Sequence, residues 1–264
     1  MYLRTTLSMA ILLATSIFAQ AQVDFNTFIL GIEEHDKIDP TGARQYIQVG
    51  AIEEQEDLAS LEIDAFMKND NFYGLSFYLT NDKNCKLGYF VTLDKSGFLI
   101  DQVRHTSICE IDLEKTSYKR SEGELIDGFV KVLQEEESVV YVSDTTDNLD
   151  NSETELLIYN TYYQIESDGF FTELSSPKKV NIERDYHMAS QELLKTEDLE
   201  SYSKNELRMM RSEILASYGH IFEEEILQNH FEKTDWYVAK GTATHLLTDL
   251  EKRNIQVIDA LLTN

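Results

Sequence analysis

Basic residues are scarce in this chain of 264 residues: 23 Lys and Arg stand against 48 Asp and Glu, a formal charge of −25. Such a surface repels the phosphates of DNA and RNA and anionic lipid headgroups, so the charge argues against nucleic-acid and membrane-surface roles. No apolar run is long enough to cross a bilayer, which takes about 20 residues as a helix. Cysteine is limited to Cys85 and Cys109, too few ligands for a zinc site of their own. There is no Gly-rich phosphate loop, no G-x-G-x-x-G and no H-E-x-x-H, and Gly74-Leu-Ser76-Phe77-Tyr78 misses G-x-S-x-G at its last position. His35, His187, His220, His230 and His245 form no metal-ligand spacing. His105 lies four residues before Cys109, which puts both on one strand face without making a Cys–His dyad. No cofactor, no catalytic residue and no metal site is therefore expected.

What is present begins with an export signal. Arg4, an apolar run from Leu7 to Phe18 and then Ala19-Gln20-Ala21 supply the charged, apolar and small-residue parts of a signal peptide, with cleavage expected after Ala21. The nearest cysteine is Cys85, so no lipid anchor is expected at that site. Removing residues 1–21 leaves 243, and the loss of Arg4 takes the charge to −26 (22 basic against 48 acidic). With 42% apolar and 11% aromatic residues the rest can bury a core, so the acid is a surface property and not a mark of disorder. In an exported chain Cys85 and Cys109, 24 apart, invite pairing. Spacing does not place their β-carbons, and a disulfide and two separate thiols both stay open.

From Phe25 to Leu174 the patterning is mostly that of antiparallel strands. Tyr73–Leu79, Leu87–Leu93 and Phe98–Val103 are aromatic and apolar runs, the last two joined by Asp94-Lys-Ser-Gly97. A four-residue turn ending in Gly marks a hairpin. Val130–Leu133, Val139–Val142, Leu156–Ile165 and Phe170–Leu174 read as further strands, with a second such turn at Glu166-Ser-Asp-Gly169. Glu53–Met67 fits a helix or a strand. Short links predict an up-and-down antiparallel sheet, curled or half-closed to manage its edges. Residues 175–197, poor in large apolar side chains, read as a linker with one short helix near His187–Leu194. After that the period changes: Leu207, Met210, Ile214 and Tyr218 lie on one helical face. Ser203-Lys-Asn-Glu206 and Thr248-Asp-Leu-Glu251 are capping boxes, and Gly219 stands where a helix ends. The fold expected is α+β: a β-rich unit over 22–174, then a small helical unit over 198–264.

Within the helical unit, Leu207-Arg-Met-Met-Arg211-Ser-Glu213-Ile214-Leu-Ala216-Ser-Tyr-Gly219, Phe222, Phe231, Trp236-Tyr237 and Glu251-x-x-Asn254-Ile255 occur in order. In this pattern residues 199–258 resemble the YARHG domain, a family found in exported bacterial proteins. Of the five-letter signature only Ala216 and Gly219 stand; Leu215, Ser217 and Tyr218 replace its Tyr, Arg and His. The resemblance implies an exported accessory domain and no catalytic residues. Ala216 and Gly219 are small enough for close packing, Phe222, Phe231, Trp236 and Tyr237 suit a compact helical core, and Arg211 is placed to pair with Glu213 or Glu251.

Two weaker patterns complete the reading. Asp144, Thr146, Asn148, Asp150, Ser152 and Glu155 follow calcium-loop spacing, but Leu149 occupies the position that needs Gly, and a solvated acidic loop accounts for the run better. Phe72, Tyr73, Phe77, Tyr78, Tyr89, Phe90, Tyr159, Tyr162 and Tyr163 are expected to divide between core and strand surface. Together these readings point to an exported envelope protein that binds an envelope protein or glycan, a cationic one suiting its charge. The alternative is an envelope hydrolase acting on peptidoglycan or polysaccharide. Its paired carboxylates are not legible in sequence, since spacing along the chain does not report separation in space.

Overall fold

Eight strands follow one another in a single open antiparallel sheet, each paired with the next in sequence, in the order β1 to β8. In the computed structural model, residues 23–35, 38–49, 61–80, 85–109, 117–126, 128–141 and 152–263 are described. The export segment and the stretch from Asp144 to Asp150 lie outside them. The strands are β1 (Glu62–Lys68), β2 (Phe72–Thr80), β3 (Lys86–Asp94), β4 (Leu99–Ile108), β5 (Ser117–Ile126), β6 (Phe129–Tyr141), β7 (Ser152–Ile165) and β8 (Phe171–Ser175). The architecture is α+β.

The β-rich half opens with two helices that strand patterning did not predict, α1 (Phe25–His35) and α2 (Pro40–Tyr46). Asp39 caps α2 by accepting from the Gly42 amide at 2.7 Å, with Pro40 at the first helical position, where no amide is needed. Phe25, Phe28, Ile29 and Ile32 form a buried stripe on α1. They meet Leu75, Phe77 and Leu79 of β2 and Leu87, Tyr89, Val91 and Leu93 of β3 in the main core. Side chains alternate faces along a strand, so Phe90 points the other way and packs with Val130 and Val132 of β6. β3 is thus buried on both faces, between the helix layer and the second half of the sheet.

The curl is fixed at one end, where the β7–β8 turn returns to the first strands. Ser167 accepts from Asn71, Gly169 from the Thr92 hydroxyl at 2.7 Å, and Asp101 accepts from the Phe171 amide at 3.0 Å. Cys85 and Cys109, just outside β3 and β4, are joined by a disulfide. The nine strand aromatics singled out from the sequence, Phe72 to Tyr163, are all buried or half-buried, and they do not line one concave face.

The C-terminal region contains α3 (Thr196–Leu199), α4 (Lys204–Ala216), α5 (Glu225–Phe231) and α6 (Asp249–Thr263), with 3-10 turns at His187–Ser190 and Thr244–Leu246. Both expected capping boxes form: Ser203 with Glu206, and Thr248 with Glu251. Gly219 ends α4 at φ +82°, and a Cβ there would stand 2.4 Å from the Val238 carbonyl oxygen. Leu207, Met210, Ile214, Leu215 and Ile258 make the α4–α6 core, joined by Ala189 and Leu199. Phe231, Tyr237 and Ala216 form a second cluster with Phe222 and Trp236. Residues 184–194, within the stretch of linker-like composition, are packed: Arg184, Ala189 and Ser190 are buried.

Candidate functional site

Among the described residues no three His, Cys, Asp or Glu side chains are grouped to hold a metal ion. His105 on β4 is buried and belongs to a polar chain that crosses the sheet. Its Nδ1 lies 2.9 Å from the Thr106 hydroxyl and its Nε2 3.3 Å from the Ser76 hydroxyl, which donates to Asp64 at 2.9 Å. The Gly123 amide on β5 donates to Thr106 Oγ1. With the Ser76 proton given to Asp64, Ser76 accepts from Nε2–H, and Nδ1 then accepts from Thr106. A catalytic triad needs the reverse: a base nitrogen facing the serine and a carboxylate behind the imidazole. This chain is a structural relay. Burial lowers the His105 pKa from 6.5 to about 4, against the opposing pull of Asp64, so the ring is neutral near pH 7.

A groove lies where the helical region meets the sheet. Glu192, just after the first 3-10 turn, reaches across the junction. Tyr162 donates to its Oε2 at 2.5 Å and Lys131 at 3.0 Å, while Asn160 donates to Oε1 at 3.0 Å. Burial, reinforced by Glu192, pushes the Tyr162 hydroxyl pKa up, so it stays a donor. Tyr162, Leu174 and Leu250 pack together beside this contact with Phe129 and Leu193. On one side of the Lys131–Glu192 pair is a groove of about 500 Å³ whose walls include Tyr162, Tyr186, Tyr202, Asp185 and Asp198. On the other is a depression of about 380 Å³ with Glu122, Glu124 and Asn160. The Tyr186 and Tyr202 rings meet edge to face at 6.2 Å.

Asn254 sets the position of Glu192. Its side-chain amide, fully buried, donates to the carbonyls of Ala189 and Glu192 and accepts from the Leu194 amide. It holds the 189–194 turn against α6. Sequence reasoning placed Asn254 in the domain pattern but missed Glu192, because nothing in its local sequence marks a residue that Tyr162, Lys131 and Asn160 reach from the sheet.

The remaining pattern residues surround a buried arginine that the sequence did not single out. Arg184 donates through Nη1 and Nη2 to Ser190 Oγ, and its Nε lies 3.8 Å from Glu213 Oε2. Glu213 accepts from the Asp185 and Tyr186 amides. Glu251 accepts at Oε2 from Tyr218 at 2.7 Å and from the Thr248 amide and hydroxyl. Burial raises the Glu213 pKa and lowers that of Arg184, whose neighbours Glu213 and Glu251 oppose the shift. Arg211 instead pairs with Asp259 at 2.8 Å, half-exposed. The expectation that it joins Glu213 or Glu251 is corrected: Arg184 takes that place, because Arg211 sits on the outer side of α4. Of the calcium-pattern residues, Ser152 and Glu155 open β7, and Asp144, Thr146, Asn148 and Asp150 lie outside the described residues.

The fold and junction define a two-part α+β protein in which a helical C-terminal module docks on an open meander. Residues 183–262 match the YARHG domain family, and the region before them matches no family. No curated protein and no solved structure matches the chain. The family match begins at residue 183, one residue before Arg184. Among the described residues no helix is long and apolar enough to cross a membrane.

Proposed function

We propose that this is an exported, non-catalytic binding module of the bacterial envelope, and that the groove between the sheet and the YARHG domain takes an envelope glycan. One observation carries the reading: both units wall the groove, and it sets Tyr162, Tyr186 and Tyr202 beside Asp185, Glu192 and Asp198. A pyranose offers an apolar C–H face and a rim of hydroxyl donors, which aromatic rings and carboxylates respectively receive. The signal-peptide pattern and the YARHG match support an envelope location, and the −26 charge favours a ligand of neutral or cationic character. The proposal divides the chain at about residue 183, with the segment before Thr196 assigned to the helical unit.

The test is co-sedimentation of the mature protein with purified peptidoglycan sacculi and with a soluble polysaccharide, alongside Tyr202→Ala. Tyr202 is exposed, so the substitution leaves the core intact. Retention on one of these glycans, weakened roughly tenfold (about 1.4 kcal/mol) by Tyr202→Ala, is expected. No retention, or retention indifferent to Tyr202, overturns the reading. Release of soluble fragments during incubation would favour the hydrolase.

A further inference from the structure

The outer edge of β7 is only half covered. β7 runs for 14 residues and β8 for 5, and β8 pairs with Thr161–Ile165 alone. One further bond, from the Ser176 amide to the Asn160 carbonyl at 3.2 Å, ends the pairing, and Pro177 follows with no amide to donate. Lys178 then lies over the Tyr159 ring and reaches Glu136, on the face away from Ile158. Among the described residues, Ser152–Ile158 therefore has β6 on one side and no strand on the other. The side chains beside this edge are unusual too. Leu133, Leu156 and Ile158 are 37%, 57% and 49% exposed, and they are the only exposed large apolar residues within the described strands. Leu156 and Ile158 share one face of β7, and Leu133 stands opposite Asn160, the next residue on that face. Single exposed apolar residues are ordinary; three in neighbouring ladder positions, rimmed by charge and beside an unpaired edge, call for a partner.

The charge around this stripe restricts the partner. In the ladder Glu135 lies opposite Ile158 and Glu137 opposite Leu156, while Glu122 and Glu124 continue the face on β5. The basic residues of the face are engaged, Arg120 by Glu122 at 3.2 Å and Lys131 by Glu192 at 3.0 Å. Along the edge itself the sequence Ser152-Glu-Thr-Glu155-Leu156 adds Glu153 and Glu155. A second copy of this chain would bring the same acids against them, and like charges on facing strands oppose pairing. An edge guarded by acid thus turns away another acidic strand and admits a basic one. A helix satisfies its own backbone and has no use for a free edge, whereas an extended segment does. We propose that β7 takes an extended, basic segment of a second protein as a ninth strand. Its backbone bonds along Ser152–Ile158, its apolar side chains lie against Leu156 and Ile158, and its Lys or Arg side chains reach the surrounding glutamates. This surface lies outside the groove walled by Tyr186 and Tyr202 and does not rest on the glycan reading.

The test titrates the mature protein into a fluorescently labelled peptide, Lys-Val-Lys-Val-Lys-Val-Lys, and follows anisotropy. A second peptide with Pro in place of the central Val keeps the charge but cannot complete a ladder, so it reports charge attraction alone. Saturable binding of the first peptide, roughly tenfold tighter than that of the second, is expected, with amide exchange slowed along Ser152–Ile158. Leu156→Thr combined with Ile158→Thr keeps strand propensity and charge and is expected to weaken binding roughly tenfold. Both residues are exposed, and thermal unfolding checks that the variant is folded; Ile158→Thr alone serves where it is not. No binding, equal binding of the two peptides, or indifference to the threonine substitutions overturns the proposal. So does a mature protein that sediments as a dimer and is returned to monomer by those substitutions, which would put a second copy on the edge. Tyr202→Ala leaves this titration unchanged, so its outcome is separate from that of the sheet groove.

Discussion

His105 gives the sharpest quantitative test of the β-sheet core. Its ring is 2% exposed and burial holds its pKa at about 4 in the folded chain, against 6.5 when unfolded. Because the folded value is depressed, the unfolded chain binds the proton first as pH falls. The stabilisation is complete above pH 6.5, declines between 6.5 and about 4, and is gone below that. At ~1.36 kcal/mol per pH unit this amounts to about 3 kcal/mol. Asp64 and Lys86 also act on the ring, with opposite signs, and the window is read with both in place. His105→Gln keeps a donor and an acceptor for Ser76 and Thr106 but does not titrate. It is expected to cost about 1–3 kcal/mol at pH 7.5, through lost packing against Tyr78. Urea unfolding of both proteins from pH 7.5 to 4 should show the difference shrinking, with the variant equal or more stable near pH 4. Parallel curves, or an NMR titration of His105 near 6.5, would refute the reasoning.

The YARHG domain supports two further expectations. Asn254→Ala removes three hydrogen bonds to the 189–194 turn and should lower stability by about 3 kcal/mol by denaturant unfolding, loosening Glu192 from Tyr162. A fragment of residues 183–264 is expected to unfold cooperatively by circular dichroism, whereas 198–264 is not. The shorter piece lacks Arg184 and the amides of Asp185, Tyr186 and Leu194, which leaves Glu213 and Asn254 buried without partners at about 1–3 kcal/mol per group. Cooperative unfolding of 198–264 alone would show that the earlier segment is dispensable.

Much of the meander was legible because its signals are local. Tyr73–Leu79 and Leu87–Leu93 fall inside β2 and β3, and the turns at 94–97 and 166–169 form with Gly97 and Gly169 at φ near +91° and +92°. Of Glu53–Met67, left between helix and strand, residues 53–60 lie outside the described residues, and the rest enters β1, Glu62–Lys68. The strands that were missed or broken depend on partners. β5, Ser117–Ile126, is charged and lacks alternation, and β6 was split at Glu135-Glu136-Glu137. Paired, the two place Lys119 opposite Glu136 and Arg120 opposite Glu135. Lys119 and Lys178 hold Glu136 near pKa 2, with Tyr159 as a third donor. A strand whose acid is matched across the ladder looks unfavourable when read alone. The two N-terminal helices are a different failure. The 25-28-29-32 stripe of α1 was there to be read, and the strand signals that follow obscured it.

The groove at the sheet junction was less legible because the segment that supplies Glu192 is held by partners far away in sequence. Residues 184–194 fold through polar contacts to the domain: Glu213 receives the amides at 185 and 186, and Asn254 grips 189, 192 and 194. Hydrophobic periodicity does not register an element held by buried carboxylate and amide groups. The same segment supplies Glu192 to the sheet groove, so that site depends on buried acceptors and donors of the helical region. Such groups contribute little net stability when satisfied and cost a great deal when stripped of partners. Damage to Glu213 or Asn254 is therefore expected to reach the sheet groove through this segment, while a change at an exposed rim residue such as Tyr202 stays local.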